Sequence, residues 1–303
     1  MQLSPIAVFL YNRPEHTKNI LNSLVKCTNF KDSKIYIFID GPKNKEDEEN
    51  VKKVNEISNK FYKKFNNIRI NANTTNIGLF NNLTNGVSKV LNSFNKIIVI
   101  EDDLVLDKNF IIYMNDSLVK FESNEKILQI SGYSYPINGQ SDESYFLNLV
   151  SCWGWGTWKN RWINFLKFIE DKKKILTLYK KIKSEGNLKH KFNINGSFNY
   201  FNFLKKQLYT DYNSWGILFY LFSFNENKLN MFPGYTYVSN NGFDGSGLHG
   251  SKSDVFNSKP EKIYKSYNIN VDVKENLENL NKISIFLKKE LSFFNKLKNI
   301  IVR

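Results

Sequence analysis

The stretch that most constrains this chain is KIIVIEDDLVLDKNF, Lys96 to Phe110. Its β-branched apolar run, Ile97 to Ile100, reads as a buried strand of a parallel or mixed sheet. Glu101, Asp102 and Asp103 follow at once, so three acids stand at the strand's C-terminal end. Open α/β sheets bind their ligands just outside that edge. Carboxylates crowded there repel one another unless a cation or a donor-rich ligand compensates them. Hard oxygen ligands suit Mg²⁺ or Mn²⁺, with substrate phosphates completing the shell. The plainer reading of the same residues is a solvated turn that ends the strand and caps a helix from Asp107.

The flanking sequence repeats the strand-helix pattern. Pro5 to Tyr11 reads as a first strand, followed by Asn12, Arg13 and a helix opened by Pro14. Ile35 to Asp40 is a second strand ending in an acid before Gly41 and Pro42, and Ile68 to Ala72 is a short third. A charged helix is expected between residues 44 and 65. Another, after the Asn76-Ile77-Gly78 turn, carries Leu79, Leu83, Val87, Val90 and Leu91 at helical spacing. Alternation of this kind predicts an α/β fold with helices on a doubly wound sheet. Neither a G-x-G-x-x-G fingerprint nor a Walker A loop is present.

After Ile127 to Ile130 the pattern becomes irregular and aromatic. SCWGWGTWKNRW places Trp153, Trp155, Trp158 and Trp162 within ten residues, which suits either stacking on sugar rings or a tryptophan-rich core corner. Residues 167–191 read as helical, basic and exposed. Asp211 opens a polar loop before a buried helix from Trp215 to Phe224. Ser239 to Gly250 sets Asp244 and His249 among four glycines, a loop able to wrap a ligand. From Lys274 to Arg303 the pattern is a basic amphipathic helix, which either packs on the protein or lies on an anionic membrane.

The 303 residues suffice for one elaborated domain, and 15% aromatic content excludes a disordered chain. A net charge of +14 favours anionic ligands or surfaces, but no nucleic-acid-binding motif is present and none is expected as a partner. Two cysteines outside any metal-ligand spacing, no signal-peptide pattern and no apolar run of spanning length lead to the expectation of a cytoplasmic protein, peripheral at most.

The ordered set strand-N-R, strand-D-G, strand-E-D-D, aromatic G-W, N-S-W and G-x-x-G-x-x-x-H-G resembles the GT-A glycosyltransferases. It is similar in particular to the N-acetylglucosaminyltransferase that initiates hybrid and complex N-glycans and to bacterial sugar transferases of the same build. The similarity spans roughly residues 4 to 250. It implies a Rossmann-like, mixed and mostly parallel sheet flanked by helices, with the C-terminal amphipathic helix outside the similarity. The implied organisation is a GT-A domain over residues 1–255, with a nucleotide-binding half (1–125) and an acceptor-binding half (126–255), then a basic helical tail (256–303). It further implies that Arg13 and Asp40 hold the nucleotide's base, that Glu101 and Asp102 contact the donor's ribose and sugar, and that Asp103 binds Mn²⁺ or Mg²⁺. His249 falls near the diphosphate. Apart from the resemblance, the aromatic faces beside small glycines make Trp153 and Trp155 the candidate acceptor-binding residues. The chain departs from the family before Trp215, where Asn213 and Ser214 stand in place of an acid; the nearest is Asp211.

The expected activity is transfer of a hexosyl or N-acetylhexosaminyl group from a UDP-linked or other nucleotide-sugar donor to a glycan or lipid-linked glycan, in bacterial polysaccharide assembly. With Asp211 as base, direct displacement inverts the anomeric centre. Two rivals share these residues. A sugar-1-phosphate nucleotidyltransferase needs a glycine-rich basic loop after the first strand, for which Asn12-Arg13-Pro14 is a poor substitute; a non-catalytic glycan-binding protein would rely on the tryptophans and leave the three acids unexplained.

Overall fold

The computed structural model describes residues 2–139, 141–242, 256 and 267–301, with side chains as far as residue 290. Strands β1 (Ile6–Leu10), β2 (Ile35–Ile39), β3 (Ile68–Ala72) and β4 (Lys96–Glu101) alternate with helices α1 (Pro14–Val25), α2 (Lys45–Lys64) and α3 (Gly78–Leu91). Proline opens α1 where its missing N–H costs nothing. In α2 the Asn44 side chain caps the Asp47 amide, acids fill the first turn, and Lys63 and Lys64 fill the last, as the helix dipole favours. Every residue of β1 is buried, and four of the five in β2, because helices cover both faces of the sheet.

Beyond β4 come β5 (Leu104–Leu106), α4 (Phe110–Lys120), β6 (Ile127–Ser131), β7 (Tyr145–Leu147) and β8 (Trp155–Trp158). A helical unit follows: α5 (Lys159–Glu170), α6 (Lys172–Ser184), α7 (Gly186–Phe192) and α8 (Tyr200–Tyr209). Then come α9 (Trp215–Asn225), β9 (Leu229–Phe232), β10 (Val238–Asn240) and α10 (Leu277–Ile301). The aromatic region read as irregular thus holds two strands. Pairing with β4 on one side and β6 on the other makes WGTW a strand, although its composition does not advertise one.

One eight-stranded sheet in the order β3-β2-β1-β4-β8-β6-β9-β7 carries both halves of the chain. It is mixed and mostly parallel, flanked by helices, which is the fold class expected. β1 pairs in parallel with β2 and with β4, whereas β8 runs antiparallel to its neighbours. The chain leaves β1 towards β2 and β3, then returns to set β4 on the other side. That reversal opens a crevice at the carboxyl ends of β1 and β4. A second, two-stranded ribbon pairs β5 with β10.

Helix α10 buries Ile283 and Leu287 in the core and packs Leu280 and Phe286 against it, leaving Leu277 and Ile285 exposed. Packing on the protein is therefore the observed outcome for the described turns of this helix. Among the described residues no helix is long and apolar enough to cross a membrane.

Candidate active site

Three residues past β1, Arg13 reaches across the crevice to the acids that end β4. Its Nε donates to Asp102 Oδ2 at 3.1 Å, a terminal nitrogen donates to Asp102 Oδ1, and the same nitrogen lies 3.5 Å from Asp103 Oδ2. This two-point pairing fixes the fork geometry of a guanidinium on a carboxylate. The loop that presents Arg13 is itself anchored. Tyr11 Oη and Asn12 Nδ2 donate to Asp47 at 2.5 and 2.6 Å, and those bonds hold the Asp47 carboxyl below its ordinary range.

The three acids are unequally served. Asp102 takes the guanidinium and is 6% exposed, while the Asp103 side chain is 22% exposed and touches only its edge. Burial raises the Asp103 carboxyl, and the Asp102 charge adds to this against the pull of Arg13 and His16. Glu101 is pushed up to about 8, first by burial and then by the charges of Asp103 and Asp102. Cys152 belongs to the same neighbourhood: burial raises its thiol most, and the charges of Glu101 and Asp103 raise it further.

The β5–β10 ribbon brings a late segment onto this cluster. Asn241 N donates to the Asp103 carbonyl at 2.7 Å, and Asn240 Oδ1 accepts from Gly242 N at 2.7 Å. A Cβ at Gly242 would lie 2.8 Å from Asp103 Oδ2, so only glycine lets the backbone come this close. His16 Nε2 stands 3.4 Å from the Asn241 carbonyl. His16 carried no motif in the sequence, and Cys152, Asn240 and Gly242 lay in the aromatic and glycine-rich stretches without a role of their own; they meet the acids because α1, the β8 entry and β10 converge there.

Asp40 lies at the end of β2, as expected, but its oxygens are taken up by the chain. Oδ1 accepts from the Gly41 and Ile77 amides at 3.0 Å and from Asn73 Nδ2 at 3.2 Å; Oδ2 accepts from the Gly78 amide at 2.9 Å and Asn76 Nδ2 at 3.0 Å. A carboxylate has about four lone-pair positions, so none is left over. Asp40 thus organises the loop and the first turn of α3; it does not present the free acceptor expected for a base.

The tryptophans divide. Trp155 is fully buried, stacked on Trp215 at 5.0 Å between ring centres and packed on Trp162 and Phe219. No face of its ring is open to a sugar, which corrects the acceptor role expected for it. Trp158 and Trp162 are equally buried, each donating its indole N–H within the core. Trp153 is half-buried, edge-on to Tyr133 at 4.4 Å, with Gly154 following it at a φ of +59°. Asp211 is exposed in the bend before Ser214, whose hydroxyl caps α9. His249 lies outside the described residues.

Among the described residues no three His, Cys, Asp or Glu side chains form a group able to hold a metal ion. The oxygens at this edge nevertheless fit a small hard cation that takes most of its shell from a bound phosphate. Asp103 would be its ligand with Glu101 alongside, and both carboxyls carry a burial cost that a cation would offset.

No protein-family model and no curated protein matches the chain. Among solved structures, S. aureus TarS in complex with UDP-GlcNAc is 14% identical with a TM-score of 0.33, over 45% of this chain and 36% of that one. The mannosyltransferase PcManGT from Pyrobaculum calidifontis, in complex with GDP-Man and Mn²⁺, is 6% identical with a TM-score of 0.36 over 50% and 44%. GalNAc-T7 with UDP, GalNAc and Mn²⁺ is 12% identical with a TM-score of 0.40 over 54% and 37%. The match spans under half the length of each of these three chains.

Proposed function

We propose that the chain is a metal-dependent glycosyltransferase using a nucleotide-sugar donor. The observation that carries this reading is the Arg13–Asp102 pair spanning the reversal point of the sheet, with Asp103 and Glu101 beside it. Ligands of open α/β sheets bind at that point, and a cluster of acids there suits a cation-bridged diphosphate. In this reading the first half of the chain, to about residue 125, holds the nucleotide, UDP for preference, and the second half holds the acceptor.

Asp103 would hold Mn²⁺ or Mg²⁺, and the bound ion would supply Lewis-acid compensation of the leaving diphosphate. Arg13 fixes the Asp102 carboxylate, whose remaining lone pairs accept from donor hydroxyls; Glu101 stands behind them. Asp40 shapes the loop that faces the base. Trp153 gives the acceptor an aromatic wall, and Asp211 takes the proton of the attacking hydroxyl, a contribution of about 10²- to 10⁴-fold, with inversion of the transferred hexosyl or N-acetylhexosaminyl group. A glycan or lipid-linked glycan in the bacterial cytoplasm completes the proposal.

The rival readings lose their footing. The segment after β1 is tied to Asp47 and Asp102 rather than free to cradle phosphates, as a nucleotidyltransferase requires. Burial of three of the four clustered tryptophans removes the stacking surface of a glycan-binding protein. A thermal-shift panel of nucleoside diphosphates and nucleotide sugars, with and without Mn²⁺, tests the proposal. One nucleotide at 100 times its Kd stabilises the wild type by about 2.7 kcal/mol only with metal, and not Asp103→Ala. Silence across the whole panel would sink it.

A further inference from the structure

Charge is distributed very unevenly in this molecule. Residues 159–210, the α5–α8 unit, hold thirteen lysines and arginines against three acids, a net +10 of the chain's +14. Helix α6 concentrates it. Lys172, Lys173, Lys180, Lys181 and Lys183 are all exposed, and among the described residues only Lys174 of the unit reaches a carboxylate, Glu226 at 3.4 Å. Three of these lysines stand in the first turn of α6, where the helix dipole disfavours cations, whereas α2 places acids there. Helix stability alone does not select that arrangement.

We propose that the outer face of α5–α8 docks the protein on an anionic lipid surface, independently of the transferase reading. Charge complementarity points to an anion, and shape points to a plane. Ile175, Tyr179 and Ile182 bury one side of α6, so its ammonium groups fan over roughly half of the convex circumference. A linear polyanion is held in a groove that tracks its backbone; a laterally continuous charged surface meets a convex face. Two exposed apolar side chains belong to the same unit. Tyr209 is 58% exposed with its ring 5.6 Å from that of Tyr179, and Ile163 on α5 is 39% exposed. Tyrosine in particular favours the membrane interface, where its ring and hydroxyl are both served.

The test is flotation of the full chain with vesicles of phosphatidylcholine alone or mixed equally with phosphatidylglycerol, at low and high salt. Binding is expected on the anionic vesicles only and is lost at high salt. A lysine near such a surface multiplies the partition constant about fivefold, so Lys180→Glu, Lys181→Glu and Lys183→Glu together weaken it by about 100-fold or more. Lys180→Gln, Lys181→Gln and Lys183→Gln weaken it in the same direction and serve if the reversal variant does not fold. Lys282→Glu, Lys288→Glu and Lys289→Glu on α10 leave it within a few-fold. The proposal is overturned by failure to bind anionic vesicles, by binding that survives the α6 changes, by loss through the α10 changes instead, or by capture on dextran sulfate without vesicle binding. Nucleotide thermal shifts, unchanged in these variants, read the transferase site separately.

Discussion

The parallel half of the sheet, β3-β2-β1-β4, and the half beyond it, β8-β6-β9-β7, handle polar groups in opposite ways. In the first, the inner strands β2, β1 and β4 are apolar along their buried lengths, and charged groups stand at the carboxyl edge, balanced by Arg13 or by backbone amides. In the second, neutral amides sit inside the sheet. Gln129 exchanges two hydrogen bonds with the Ser151 backbone, and Asn230 donates to Ser223 Oγ at 2.8 Å. The contrast teaches where adjustability resides. Neutral pairs made once at folding give rigidity, whereas a partly compensated charge cluster still responds to a ligand.

The largest effect is expected on the rigid side. Trp155→Ala is expected to cost about 3–5 kcal/mol in a urea melt, because a fully buried ring leaves a cavity; near-neutral stability would return Trp155 to the acceptor surface. On the responsive side, Asp103→Ala is expected to keep the fold but lower metal-dependent transfer by about 10²- to 10³-fold, measured as nucleotide release.

A pH series sharpens the contrast further. With the Glu101 carboxyl at about 8 when folded and 4.5 as the ordinary value, the folded state holds a proton that the unfolded state gives up. The stability this confers is complete below about pH 4.5 and drains away as pH rises through 8. Without metal, stability should fall by about 2 kcal/mol across that window, discounted for partial exposure. Glu101→Gln should flatten the slope, and Mn²⁺ should restore stability at pH 8. The smallest expected effect is that of Trp153→Ala, about tenfold in acceptor KM with a smaller loss of stability than Trp155→Ala causes, because the ring is only half-buried.

Legibility in the sequence followed the same division. The apolar runs of β1, β2 and β4 were readable because double-sided burial selects uninterrupted apolar residues, and the edge strand Ile68–Ala72, which buries only Ile68, was readable from isoleucines alternating with polar residues. Trp155–Trp158 was not, since all four residues are buried and no alternation remains to be seen. The acids announced the site, but the sharing of Asp102 with Arg13 and, apart from the adjacent Gly41 amide, the saturation of Asp40 are set by partners 33 to 89 residues away, from Asn73 to Arg13. Asp211 had no local pattern beyond its place before a buried helix.

The β5–β10 pairing also has a consequence for how the protein is made. Leu104 meets Asn240, 136 residues later in the chain. At about 5–20 residues per second of synthesis, that partner emerges roughly 7 to 27 s after the acids. The first four strands have their own parallel pairings by then, so the nascent chain carries Glu101, Asp102 and Asp103 beside Arg13 but lacks the Asn241 amide and the close approach of Gly242. Closing so long a loop is entropically slow. The acidic cluster is thus synthesised well before the segment that completes it.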